Sequence, residues 1–328
     1  MPHPSRLAPL EHLSPAWFVP VMGWTGLGLS WARATDGLGE WAHGISLACA
    51  LIASLTLLLV ILGQLWRIRC HPQAWLADVR HPVKHTFWSA LPIGMVLLAA
   101  LWISLTHVDH WAMNLFWWLG ALGELATTLW ILSRWMRPPD AGGTPLAALT
   151  PIIYLPLVGN LLVPWAGVPL GHGVWSAIQL GVGLLMWPVA LSALVLRQFQ
   201  VGPLPPRMLP TWFILVVPPS ALALSLNLWH PPAEVSWAIW GMGLISLMWA
   251  LTHSKSIIQL PFGLPHWGMS FPLAAFTSMT LMMSHQPDGD WLWAPGLALL
   301  AIASVVILWL SRMTLRGLLR GELLRPDA

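Results

Sequence analysis

Ten stretches of close to twenty apolar residues run almost end to end through this chain, at about 14–32, 42–65, 86–106, 111–133, 147–166, 173–196, 210–229, 235–253, 265–284 and 291–311. Each approaches the roughly 20 residues that an α-helix needs to cross the hydrocarbon core of a bilayer. Only 8% of the 328 residues are charged, against 57% hydrophobic with 25 tryptophans, which lies far from the usage of water-soluble domains. The sequence therefore predicts an all-α integral membrane protein with ten transmembrane helices. Residues 1–13 form a short N-terminal segment, 14–312 one ten-helix transmembrane domain, and 313–328 a short tail. The opening residues lack the charged-then-apolar layout of a cleaved signal peptide, so the first run is expected to remain as a helix. In the tail, Leu315, Leu318, Leu319, Leu323 and Leu324 are interleaved with arginines, a pattern suited to a short helix on the membrane surface.

The basic residues give the orientation. In a ten-span layout Arg6, Arg67, Arg69, Arg80, Lys84, Arg134, Arg137, Arg197, Arg207, Lys255, Arg312, Arg316, Arg320 and Arg325 share one side, and Arg33 alone takes the other. Cytoplasmic loops carry the excess of Lys and Arg, so both termini are expected in the cytoplasm, with the protein in the cell's inner (plasma) membrane. The net charge of +3 reflects this topology and offers no case for a nucleic-acid partner.

Prolines separate the spans into two kinds. Every odd-numbered span has interior prolines, namely Pro20, Pro92, Pro156, the pair Pro218 and Pro219, and Pro272, whereas Pro188 is the comparable residue among the even spans. A proline removes a helical hydrogen bond and bends the backbone, and in lipid the freed carbonyls must find partners in protein or in a water-filled cavity. Using Pro218, the spacings are 72, 64, 62 and 54 residues. The chain thus reads as five repeated helical hairpins. Each hairpin enters from the same side, so the copies are related by an axis along the membrane normal. Proline-kinked odd helices then form an inner pore ring and the even helices an outer layer.

Several stretches resemble one known family, the tellurite-resistance and C4-dicarboxylate transporters that include the slow anion channels of plant guard cells. The matching pieces are Trp17-Phe18-Val19-Pro20-Val21-Met22-Gly23, His81-Pro82-Val83, Leu157-Val158-Gly159-Asn160 with Pro164, Pro210-Thr211-Trp212-Phe213-Ile214-Leu215 with Pro218-Pro219, and Trp267 with Ser270-Phe271-Pro272. The resemblance implies a homotrimer whose subunits each carry a central pore, lined by the odd helices and closed by a phenylalanine of the ninth span. Carried over by motif, the gate is Phe271. Phe262 matches less well because it precedes Trp267. The ring and the resemblance together assign Phe18, Pro20, Gly23, Pro92, Pro156, Asn160, Phe213, Pro218 and Pro272 to the pore wall, with Gly23 a position where a side chain would crowd the pore.

The odd spans contain no Asp, Glu, Lys or Arg, so charged selectivity rings are absent and a neutral pore is expected to bind ions weakly. Their positive dipole ends face the cytoplasmic mouth and favour small anions there. Glu124, in Gly120-Ala121-Leu122-Gly123-Glu124-Leu125, is the one charged residue deep in a span, and it reads either as a proton carrier or as a structural contact between helices. Asn160 is either a pore contact or a partner for a freed carbonyl.

Histidines flank the spans, and His107, Asp109 and His110 fall in a short loop without metal-ligand spacing. Cys49 and Cys70 suggest neither a disulfide framework nor a metal site, and no cofactor or catalytic motif is present, so an enzyme is not expected. An anion channel or facilitator is the leading expectation. A proton-coupled dicarboxylate or tellurite transporter is the alternative, and a membrane-embedded enzyme the remote one.

Overall fold

The computed structural model describes residues 8–106 and 111–325, so His107, Asp109, His110 and Arg6 lie outside the described residues. The described residues are helical throughout, with no strand among them. The principal helices are α1 (Val19–Leu38), α2 (Glu40–Cys70), α3 (Ala90–Thr106), α4 (Trp111–Trp135), α5 (Pro151–Gly167, part α and part 3-10), α6 (Gly173–Val201), α7 (Val217–Leu226), α8 (Ala233–Leu251), α9 (Ser270–Met283) and α10 (Trp293–Leu319).

Among the described residues, seven helical stretches are long and apolar enough to cross a membrane: Glu40–Cys70, Lys84–Thr106, Trp111–Trp135, Gly173–Val201, Pro206–Trp229, Ala233–Leu251 and Asp290–Leu319. The first, fifth and ninth expected spans fall short of that standard in length or in apolarity. All three are buried along most of their length. A helix surrounded by protein has no need of a greasy surface, and small and polar residues let it pack closely. On α1, Gly23, Gly26 and Ser30 recur at helical spacing against α9; the Ser30 hydroxyl lies 2.8 Å from the Ala274 carbonyl oxygen and 2.9 Å from the Ser278 hydroxyl.

The long helices α2, α4, α6, α8 and α10 bury only a stripe. On α2 it runs through Ala50, Ala53, Leu57, Val60 and Gln64, while Leu51, Leu55, Leu59 and Leu62 are exposed, Leu59 by 59%. Outward faces this apolar would drive aggregation in water, and lipid is the medium that suits them. At the basic ends of three of these helices a buried arginine closes the next turn of chain. Arg67 binds the carbonyls of Glu11 and Ala74 at 2.9 and 3.1 Å and pairs with Asp78 at 2.7 Å. Arg134 binds those of Val79 and Arg80 at 2.8 and 3.0 Å, and Arg197 binds that of Gly202. Freed carbonyls at a helix end are satisfied this way at low cost, because each guanidinium offers five donors.

The expected surface helix of the tail is instead the end of α10, which continues unbroken to Leu319. Thr314 and Gly317 stay on its buried stripe, and a Cβ at Gly317 would meet the Leu323 side chain at 2.8 Å, so the tail folds back onto the helix.

The odd segments share a construction that explains their prolines. Each starts in 3-10 geometry, at Pro15–Phe18, Lys84–Ser89, Pro151–Ile153, Pro206–Val216 and Leu264–Met269, and then turns to α-helix. Pro20, Pro92, Pro156, Pro218 and Pro272 all stand at the second or third residue of the α part. In the first turn of an α-helix the missing N–H is one that has no intrahelical partner anyway. The same ring crowds the carbonyl four residues earlier, so the turn before it tightens to 3-10. Pro188, by contrast, sits inside the continuous helix α6.

Candidate pore and gate

One narrow cavity is walled by all five odd segments. Val19 and Met22 come from the first, Phe87 and Ile93 from the third, Tyr154, Leu155 and Gly159 from the fifth, Thr211, Ile214 and Val217 from the seventh, and Leu264 to Pro272 supply Trp267, Gly268 and Phe271 from the ninth. No Asp, Glu, Lys or Arg contributes to the wall. Measured at water centres it offers about 40 Å³, room for on the order of three waters. Most lining residues fall in the 3-10 leads and first α turns of their segments, while Gly159 and Leu162 come from a second 3-10 stretch midway along α5.

Phe271 is one of the wall residues and is 2% exposed. Its ring rests against α1 at Gly26, where a Cβ would fall 2.8 Å from Cδ2 and 3.3 Å from Cε2. Only glycine leaves that seat open. On another side it meets the Trp165 ring at 6.2 Å between centroids and 39° between planes. Gly26→Ala should displace the ring from this seat, and a structure of the variant checks the shift.

Of the other residues assigned to the wall, Pro272 lines the cavity. Phe18, Pro20, Pro92, Pro156, Phe213 and Pro218 are buried on the same segments, but their neighbours supply the lining. Gly23 is also absent from it; a Cβ there would lie 2.5 Å from the Ser270 hydroxyl oxygen and 3.1 Å from the Trp267 ring, so it is the contact between α1 and the ninth segment that requires glycine.

Asn160 faces away, into a polar network with the outer layer. Its side-chain amide donates to the Thr128 hydroxyl at 2.8 Å, and it accepts from Gln179 at 2.9 Å. Gln179 also donates to the Ala121 carbonyl at 2.8 Å and accepts from Trp175 at 2.7 Å. The Thr128 hydroxyl reaches the Pro156 carbonyl. Asn160 thus bonds side chains of the outer layer, and it is the Thr128 hydroxyl that takes the Pro156 carbonyl.

Glu124 lies fully buried beside this network. Its Oε2 accepts from Thr127 at 3.3 Å, its Oε1 has no hydrogen-bond partner, and a Cβ on Gly159 would come within 2.3 Å of Oε1. The lining aromatics Phe87 and Tyr154, and Trp165 behind the wall, escaped the sequence reading. Tyr154, the single tyrosine of the chain, is buried in the wall with its hydroxyl unpartnered. Trp165 flanks the Phe271 ring. Tyr154 carried no proline motif to mark it, and Trp165 stood among many tryptophans that suit interfacial anchoring.

Lipid-facing helices around a charge-free central cavity define a multi-pass membrane protein organised for passage of a solute. Its sequence matches the family model of voltage-dependent anion channels, SLAC1, over residues 12–315, and the chain belongs to that family, which also takes in the transporters it was seen to resemble. It is 28% identical over 303 residues to an uncharacterized transporter of Methanocaldococcus jannaschii, covering 84% of each chain. A second uncharacterized transporter of that organism is 26% identical over 250 residues, covering 68% of this chain and 72% of the other. The S-type anion channel SLAH2 of Arabidopsis thaliana is 24% identical over 239 residues, which are 73% of this chain and 45% of that protein.

Proposed function

We propose that this protein is an anion channel or facilitator that conducts small anions through the cavity of each subunit, with Phe271 as its gate. The observation that carries the reading is the cavity itself: five segments wall it, four of them by their N-terminal halves, no charged residue lines it, and a buried phenyl ring stands in its wall. N-terminal helix dipoles aimed at a neutral space favour anions without binding them tightly. Weak binding permits fast release, which a conducting site needs. The basic residues at the Arg67, Arg134 and Arg197 ends add a field of the same sign, screened by salt within roughly 8 Å.

In this reading all ten helical segments cross the inner (plasma) membrane, as five hairpins with the odd members inside. Both termini are cytoplasmic, and the protein works as a homotrimer in the lipid bilayer. Chloride, nitrate and dicarboxylates such as malate are the anions to try first, and tellurite is a further test suggested by the family resemblance. The deciding measurement is current from purified protein in planar bilayers, with each anion in turn at symmetric pH. Ohmic, anion-selective current supports the channel. Uptake that occurs only when a pH gradient is imposed would replace it with the proton-coupled carrier.

A further inference from the structure

We infer that the Glu124 carboxyl is a proton-binding site linked to anion occupancy of the cavity through the gap at Gly159. This rests on the channel reading and adds a control to it. Gly159 belongs to the cavity wall, and the carboxyl occupies the space behind it that a side chain at 159 would fill. The Gly159 backbone and the Ile93 Cδ1 methyl, itself part of the wall, stand between Oε1 and the cavity at that point. Oε1 is buried and unpartnered, so it is the oxygen open to protonation. Ionised, the group sets a full negative charge behind the wall and opposes an anion in front of it. Protonated, it is neutral and the opposition disappears.

No cation offsets that charge locally. The residues packed nearest on α4, α5 and α6 are Thr127, Thr128, Gly159, Asn160 and Gln179, all uncharged. The titratable and charged groups on the elements around it are otherwise engaged or set along the wall. Arg134 is held by two carbonyls, Arg197 by Gly202, and Lys84 pairs with Asp78 at 3.3 Å. His85 meets the Trp130 ring and bonds the His81 carbonyl oxygen, and Tyr154 lines the cavity itself. A purely structural glutamate would be expected to have both oxygens bonded, as the amides of Asn160 and Gln179 beside it are.

A unit charge about 10 Å from a permeating anion, at an effective dielectric near 20, changes its occupancy by about tenfold. Linkage is reciprocal, so an anion in the cavity must favour proton binding at Glu124 by the same factor. Two measurements on the purified full-length protein test this. In bilayers at symmetric pH, anion conductance of the wild type should rise about tenfold on acidification along a single titration curve. Glu124→Gln should hold the high conductance at every pH, and Thr127→Val, which removes the donor to Oε2, should displace the inflection without changing its limits. In infrared difference spectra, a protonated-carboxyl band absent from E124Q should grow when nitrate is added.

A pH profile shared by the wild type and E124Q, or a carboxyl band indifferent to nitrate, overturns the linkage. If no variant conducts while the nitrate-sensitive band persists, the linkage stands as a binding property and the channel reading is what fails. Should E124Q not assemble, the displaced inflection in T127V still decides, since a structural role would leave the inflection where it was.

Discussion

Phe271→Ala should raise anion conductance by about ten- to a hundredfold. Opening requires the ring to leave its seat between Gly26 and Trp165, where it is 2% exposed. Unburying a phenyl side chain costs about 1.5–3 kcal/mol, so the open form is populated at only about 1–10% in the wild type. Truncation removes both the obstruction and the apolar surface that favours a dry constriction. Single-channel and macroscopic currents in bilayers, normalised to the amount of protein reconstituted, measure the change. Equal currents from wild type and F271A would mean that the ring packs without gating, and the constriction would have to be sought elsewhere along the axis.

A pair of opposite charges at Thr211 should move conductance in opposite directions. Thr211 lines the cavity on the 3-10 lead of the seventh segment, 1% exposed, its hydroxyl 2.6 Å from the Met208 carbonyl oxygen. The wall around it holds no charge for a new one to pair with. Thr211→Lys should raise anion current about tenfold and Thr211→Glu lower it by a similar factor, the effect of a unit charge about 10 Å from the ion at an effective dielectric near 20. Both are best measured with Phe271 already truncated, so that the gate does not limit the current. Reversal potentials under a salt gradient should shift toward the anion for lysine and toward the cation for glutamate. If both substitutions reduce current alike, the added bulk has outweighed the charge and Thr211 lies at a steric bottleneck.

The sequence made the helical membrane class legible, and the structure shows which residues beside the prolines wall the cavity. The odd prolines were readable because each performs the same backbone task, and the structure sets all five within the first turn of an α part. Which neighbours face the cavity depends on rotation about each helix axis. A 3-10 residue advances the side-chain direction by about 120° and an α residue by about 100°. The 3-10 leads run to 4, 6, 3, 11 and 6 residues. The residue just before the proline lines the cavity in four segments, as Val19, Leu155, Val217 and Phe271, while offsets of about 20° per residue over such unequal leads leave the other lining positions different, Met22 in the first segment and Ile214 in the seventh. Phe271 escaped the difficulty because the family motif picked it out directly.

Glu124 and Asn160 show the same division. Composition marked a lone carboxyl in an apolar run and a lone amide on a broken segment, which was enough to single out both. Their roles turned on contacts with residues distant in sequence: Asn160 with Thr128 and Gln179, Glu124 with the space beside Gly159.

By itself the sequence determined that this is a helical membrane protein, because hydrophobicity acts through local transfer energies. The tertiary structure alone decided which side chains wall the cavity, that Phe271 sits on Gly26, and that the Glu124 carboxyl backs onto Gly159. Those are matters of helix rotation and close approach between segments, set by packing across the whole bundle.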